Sequence, residues 1–502
     1  MPEAPNHPTT QQQQQEHEFL DYLHADIYFM FSFSWHAHLV PWDKLRKGDA
    51  PQLCGMSDGW QAPRLHERVI HDPDDHFFGN YQPNLVTNRR VLERSQTIQT
   101  DATLALQTVP GGDWSDANQT KRVRFRFGYT VRLYDDGSGV CTFQACLKKE
   151  KDENGAMFEG IHAVLHLARN VDYEQDQEHS RNGKPPLTNA RLLVPTGQAS
   201  PKEDWGLFPG GPACTLHDLF RKFLTEPPTW GKVRTSSGVQ ENLWFIEEQL
   251  DDSDSRQDFQ TPYILTAAEV KQSSYDRFRQ SPTIDTAREV ASIMCRQTED
   301  NRRLLGGFRH MSRDYISKFM NSERGGLSNL CLDGRLFFSF SKRGGIALTS
   351  SFDFLPATFV VPSLANLLEI IRARWHMCCI LNLELDDLAD KVDEVHQRAA
   401  TSGGPIAPPG FYDKLRGARQ MYTRFLRDPI PYLFDGGSVT EIARIARREL
   451  GLDDLSACID LKMDALDKIV QDWEAAEFAR RRDQYDSEFG APRATGANDA
   501  AA

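Results

Sequence analysis

The chain has 502 residues, 39% of them hydrophobic, with 34 glycines and a formal charge of −13 from 71 acidic and 58 basic residues. That length is about three domains' worth, and the composition excludes a wholly disordered chain, a collagen and a small disulfide scaffold. A net-acidic chain is a poor general binder of nucleic acid, so any such binding needs a local basic patch.

From Met1 the sequence shows neither the basic start nor the apolar stretch of a secretory signal. Residues 1–18 and the small, polar stretch 487–502 read as disordered ends. The strand pattern begins at 27–40, where Ile27, Phe29, Phe31, Phe33, Trp35, Ala37 and Leu39 alternate with Tyr28, Met30, Ser32, Ser34, His36 and His38. Such alternation marks a half-buried strand. Residues 121–134 repeat it, with Val123, Phe125, Phe127, Tyr129, Val131 and Leu133 on one face and Arg122, Arg124, Arg126 and Arg132 on the other. The turn residues Asp135-Asp136-Gly137-Ser138-Gly139 and the run Val140 to Leu147 complete a hairpin. A helix is expected over Phe158–Arg169.

The polar stretch Asp172–Asp204, with Pro185-Pro186, Pro195 and Pro201, reads as a linker or long loop. An acidic loop follows at 247–254, and a further hairpin is expected from Leu336–Phe340 and Ile346–Thr349. The apolar run Phe352–Leu385 is interrupted by Pro356, Pro362, Glu369, Arg372 and Arg374, so it does not read as a membrane span.

After Pro362, Ser363 is a candidate helix cap. Apolar positions then fall at 364, 368, 371, 375, 378, 381, 385, 388, 392 and 395. This is a heptad seam with one three-residue slip. Gly403-Gly404-Pro405 ends that helix, and Ser438-Val439-Thr440-Glu441 is a capping box. A last long helix carries Leu455, Ile459, Met463, Leu466, Val470 and Trp473 in a similar rhythm. The fold class expected is α+β: an N-terminal and middle β-hairpin-rich α/β region, then a long, coiled-coil-like helical stalk of antiparallel helices. The boundaries read as a β-rich α+β domain at 19–171, the linker at 172–204, a second α+β region at 205–362 and the stalk at 363–486.

Nine cysteines, an odd number with no CxxC pair, suit reduced thiols and a cytoplasmic location. Eight of the 15 histidines lie in the first 76 residues. His36 and His38 share a strand face, the spacing of a transition-metal pair, and His71 and His76 are candidate further ligands. His162 and His166 are one helical turn apart, but Ala163 stands where a zincin needs glutamate. Asp386, Asp390 and Asp393 share a helix face on which a hydrated divalent cation can sit. Arg122, Arg124, Arg126 and Arg132 form a stripe with the fork geometry for phosphate. The candidate cofactors are therefore Mg2+ or a first-row transition metal. P-loop, dinucleotide-binding and nucleophile-elbow motifs are absent from the sequence.

The order of elements resembles the cytoplasmic region of CorA-type magnesium transporters. The strands Phe125–Tyr134 and Val140–Leu147 correspond to its α/β part. The acidic helix through Asp386–Glu394 and the helix 453–482 correspond to its stalk, and Tyr422-Thr423-Arg424-Phe425 with Tyr432, Phe434 and Gly436-Gly437 is similar to its helical segments. The family's Gly-Met-Asn motif is absent, and the nearest string is Phe319-Met320-Asn321. The resemblance, over roughly 120–482, implies a pore-less relative that keeps a sensing or assembly role. The reading favours a non-enzymatic regulatory or assembly module that forms a homo-oligomer, or binds a protein partner, through helices 363–399 and 453–482 and senses divalent cations. The alternatives are a metal-dependent hydrolase using the N-terminal histidines and a phosphate-ligand or nucleic-acid binder using the arginine strand.

Overall fold

The computed structural model describes residues 20–37, 60, 91–107, 120–149, 156–168, 178, 181–183, 190–193, 215–226, 231–234, 240–244, 261–280, 283–295, 336–341, 344–351, 355–402, 410–426 and 437–489. They form an α+β fold that divides into two units. The first comprises 1–377 and 429–452; the second comprises 378–428 and 453–502. Among the described residues, no helix is long and apolar enough to cross a membrane.

The first unit is built on an eight-stranded mixed sheet. Its strands in chain order are β1 (Tyr22–Ser34), β2 (Val91–Gln107), β3 (Thr120–Tyr134), β4 (Ser138–Lys148), β5 (Ala190–Leu193), β8 (Tyr263–Val270), β9 (Leu336–Phe340) and β10 (Gly344–Thr349). The spatial order is β5-β2-β3-β4-β1-β8-β10-β9, while β6 (Lys232–Arg234) and β7 (Gln240–Asn242) pair separately. Every neighbour in the large sheet is antiparallel except β8 and β10. This corrects two sequence expectations. The region 205–362 is no separate second domain, because β8, β9 and β10 complete the sheet begun by β1. Inside the supposed linker, Ala190–Leu193 forms the edge strand.

One face of the sheet is apolar. Ile27, Phe29, Phe31, Phe33 and Trp35 of β1 and its extension join Phe127, Val131 and Phe143 in the main core. Helices α1 (Ala156–Leu165), α2 (Leu216–Thr225), α3 (Gln272–Gln280) and α4 (Ile284–Cys295) contribute to the same core. Phe31 stacks on Phe220 of α2 at 4.6 Å between ring centroids, and Phe223 lies 4.4 Å from Trp244. At the β3–β4 turn Gly137 has φ of 92°, a conformation that side chains with a Cβ disfavour. Gly139, opposite Phe33, leaves room for its ring, which would lie 2.6 Å from an added Cβ.

The other face is polar and half covered. The 48-residue helix α5 (Leu355–Ser402) begins in this unit. It starts at Leu355 rather than at Ser363, so Ser363 is an interior residue and not the cap. Pro356 falls in its first turn, where a missing N–H costs nothing. Glu369 of α5 accepts a hydrogen bond from Thr142 Oγ1 at 2.6 Å and pairs with Arg132, whose Nε also donates to Glu93 at 2.9 Å. Further along α5, His376 Nε2 lies 3.2 Å from Ser34 Oγ, and Arg372 donates to the Thr261 carbonyl at 2.8 Å. Burial opposes the charge of Arg132, but Glu369 and Glu93 outweigh it and its pKa is raised. Helix α7 (Gly437–Glu449) completes the unit with buried Ile442, Ala443 and Ala446.

The second unit is helical. It holds the later part of α5, α6 (Phe411–Leu426) and α8 (Leu452–Phe489). Cys458 bonds to Asn382, Lys462 to Asp386, and Trp473 lies edge-on to His396. These pairs rise together in number, so α5 and α8 are parallel, not antiparallel as expected. The antiparallel helix is α6, where Phe411 meets Trp473, Arg419 meets Asp467 and Tyr422 meets Asp460. Because α6 runs back, α8 restarts beside Asn382. All ten seam positions of α5 are buried, as are Ile459, Met463, Leu466, Val470 and Trp473 of α8. The seams expected to drive self-association are thus filled within the chain.

Two stability effects follow. Removing one partner of a buried ion pair strands the other charge, so Glu369→Ala should destabilise by about 3 kcal/mol or more. The double replacement Arg132→Leu/Glu369→Leu should cost less than the sum of its single changes, and urea unfolding midpoints check both. A second effect depends on pH. Glu289 accepts a hydrogen bond from the Leu20 amide at 3.0 Å, and burial pushes its pKa from 4.5 to about 8. The fold therefore favours the protonated acid, and this contribution is complete below pH 4.5 and lost as pH rises through 8. Glu289→Gln should stabilise the protein at pH 8 and leave it nearly unchanged near pH 4, which thermal melts at the two pH values test.

Candidate metal-binding site

The polar face of the sheet continues beyond the part that α5 covers. On β1, His24 and Asp26 are two residues apart and point to that face, by the period of a strand. Asp26 lies directly opposite Cys146 of β4, and His24 opposite Lys148. The register thus brings residues 120 positions apart in sequence to one spot. His24 Nε2 lies 3.1 Å from Cys146 Sγ and 3.4 Å from Asp26 Oδ1. The three donor atoms all fall within 4.8 Å of one another, and among the described residues no other group of three His, Cys, Asp or Glu donors does so. Tetrahedral zinc, with Zn–N of about 2.0–2.1 Å and Zn–S of about 2.3 Å, sets neighbouring donors about 3.3–3.6 Å apart. The His24–Cys146 and His24–Asp26 spacings are near that. The His24 and Asp26 side chains are each 19% exposed, so the cluster is sheltered yet reachable.

The same residue types also occur in a cysteine-nucleophile triad, and the geometry separates the two. A triad histidine uses one ring nitrogen for the nucleophile and the other for the carboxylate. Here Cys146 and Asp26 both approach Nε2. A nucleophilic cysteine also needs a lowered pKa. Burial instead pushes the Cys146 thiol up to about 12, with the Asp26 charge adding to the rise and Lys148 and Arg126 opposing it. Donors converging on one point suit a cation, which would hold the thiolate outright.

Around the cluster stand several charged positions. Arg126 is the direct partner of Cys146 on β3, and Arg122, Arg124 and Arg126 are all exposed. On β2, Asp101, Thr103 and Ala105 are opposite Arg126, Arg124 and Arg122. On β8, Glu269 is opposite His24. Between the open and covered halves lies Tyr28, whose hydroxyl accepts from Gln144 at 3.2 Å.

The residues singled out from sequence are distributed differently. Arg132 leaves the arginine stripe for its buried pairing with Glu93 and Glu369, so only Arg122, Arg124 and Arg126 remain as an exposed row. His36 is half-buried just after β1, with its amide donating to the Leu243 carbonyl at 2.8 Å. His38, His71 and His76 lie outside the described residues. His162 and His166 are core residues: His162 Nε2 is 2.8 Å from Ser292 Oγ, and burial lowers its pKa to about 4. Of the α5 carboxylates, Asp386 pairs with Lys462 while Asp390 and Asp393 are exposed. Sequence reading missed His24, Asp26 and Cys146. The available signal was the extension of the β1 alternation upstream of Ile27, which places His24 and Asp26 on the face of Tyr28.

The fold and the site define an α+β protein whose sheet carries a three-donor cluster on its polar face. Comparison of the chain with protein-family models, curated proteins and solved structures finds no match in any of the three.

The cluster predicts an order of thiol reactivity. In chelator-treated protein near pH 8, iodoacetamide should modify exposed Cys458 well before Cys146. Asp26→Asn should speed labelling of Cys146 and leave Cys458 unchanged. Peptide mass spectrometry reads both sites at once.

Proposed function

We propose that this chain is a regulatory protein whose sheet binds one divalent first-row transition-metal ion through His24 Nε2, Asp26 Oδ1 and Cys146 Sγ. The observation that carries the reading is the convergence of these three donor atoms within 4.8 Å. Imidazole, carboxylate and thiolate together suit zinc or a similar ion better than Mg2+, which prefers oxygen ligands alone. A regulatory role accords with the resemblance to the sensing part of CorA-type proteins, and the cation sensed here moves from the α5 carboxylates to the sheet. Three protein donors also leave a coordination position open, as in hydrolytic metal sites. That feature favours a metal-dependent hydrolase as the second reading, on His24, Asp26 and Cys146 rather than on the histidines downstream of β1.

Cobalt provides the test. Full-length protein titrated with Co2+ should develop d–d bands and a near-ultraviolet thiolate charge-transfer band at about one ion per chain. Cys146→Ser should abolish the charge-transfer band, Cys458→Ser should keep it, and His24→Gln should weaken Co2+ binding by about tenfold or more. Absence of the band in the wild type, or its survival in Cys146→Ser, overturns the assignment.

A further inference from the structure

The metal cluster does not stand alone on its face. Arg126 is the direct cross-strand neighbour of Cys146, and directly opposed residues have Cβ atoms about 4.5–5.5 Å apart. Arg124 and Arg122 continue the same face at two-residue intervals, and both are exposed. Lys148, the cross-strand partner of His24, is also exposed.

Charge accounting then points to the missing ligand. A divalent ion held by one carboxylate, one thiolate and a neutral imidazole makes an uncharged centre with an open position. Among the described residues, the cross-strand positions around the cluster hold four basic residues, Arg122, Arg124, Arg126 and Lys148, against two acidic ones, Asp101 and Glu269. The filled site is therefore positive on balance. The Arg–phosphate fork is planar and bidentate, and a phosphate dianion has oxygens for a metal ion and for guanidinium groups at once. We infer that the metal-loaded face binds a dianionic phosphate group, one oxygen completing the metal's coordination and the others accepting hydrogen bonds from Arg126 and Arg124.

The covered half of the face explains why Arg132 is not part of this site. Its guanidinium is committed to Glu93 and Glu369 beneath α5. The phosphate ligand is thus limited to the open end of the sheet. This inference rests on the metal assignment proposed above, and its test separates the two.

Full-length protein is loaded with one equivalent of Co2+, freed of excess metal, and titrated with inorganic phosphate or with O-phosphoserine at constant ionic strength. Either ligand should shift the cobalt d–d bands saturably, and the tighter of the two identifies free phosphate or a monoester as the source. Arg124→Gln/Arg126→Gln should retain Co2+ and its thiolate band but bind phosphate about tenfold or more weakly. Metal-free protein, followed by calorimetry, should lose phosphate affinity by at least as much. If Co2+ binds with its thiolate band and phosphate leaves the spectrum unchanged, or if the arginine variant binds phosphate like the wild type, the phosphate inference fails and the metal site stands. If no thiolate band forms, both fail.

Discussion

The contact on which the first unit depends is the carboxylate of Glu369. A wide sheet with one apolar face buries that face readily against helices. Its other face, rich in Arg, Thr, Ser, His and Asp, can be covered only where each polar group finds a partner. Glu369 supplies that condition with two oxygens, one taking Thr142 Oγ1 and the other Arg132. Arg132 meets a second carboxylate in Glu93, and Ser34 meets His376 about two helical turns further along α5. Side chains such as Leu368 and Ile371 can then be buried on a face whose strands carry charges. The apolar stripe of α5 supplies area, and the ion pair sets where that area lands.

The same clamp determines what stays open. Toward the start of β1, the described residues put no counterpart of Glu369 over Asp26, Cys146 and Arg126, and these side chains keep access to solvent. Desolvation there is partial, which suits a binding surface better than a core. A thiol held beside a carboxylate is poorly used by the fold alone, since burial and Asp26 both keep it protonated. A cation reverses that balance by favouring thiolate and carboxylate together. The cluster makes physical sense as the ligand set of something that arrives.

Much of this fold was legible in the sequence because it is written in short-range periods. The alternation read at 27–40 appears as a strand as far as Ser34, Asp135–Gly137 turn the chain into β4, which already begins at Ser138, and Leu336–Phe340 pairs antiparallel with Gly344–Thr349. The α5 seam is buried at all ten positions, and the α8 seam at Ile459, Met463, Leu466, Val470 and Trp473 but not at Leu455. What was not legible depends on distant register. Nothing local says that β1 pairs with both β4 and β8, and so nothing local joins Asp26 to Cys146 or merges two supposed domains into one sheet. The direction of α8 against α5 was hidden for the same reason, because it depends on α6 running back between them in the chain. Arg132 and its neighbours look alike as a stripe; only the position of Glu93 and Glu369 separates the one that is buried from the three that are exposed.

The slip in the α5 seam shows how a local irregularity can record a tertiary event. Its successive apolar steps alternate four and three except around Trp375, Cys378 and Leu381, where two threes come together. Three residues advance a helix by less than one turn, so a stammer rotates the apolar stripe relative to the residues before it. The division between the two units falls between Met377 and Cys378, inside that slip. Up to this point the stripe packs in the sheet unit; beyond it the stripe belongs to a bundle with α6 and α8. The interruption in the seam therefore coincides with the residue at which α5 passes from one unit to the other.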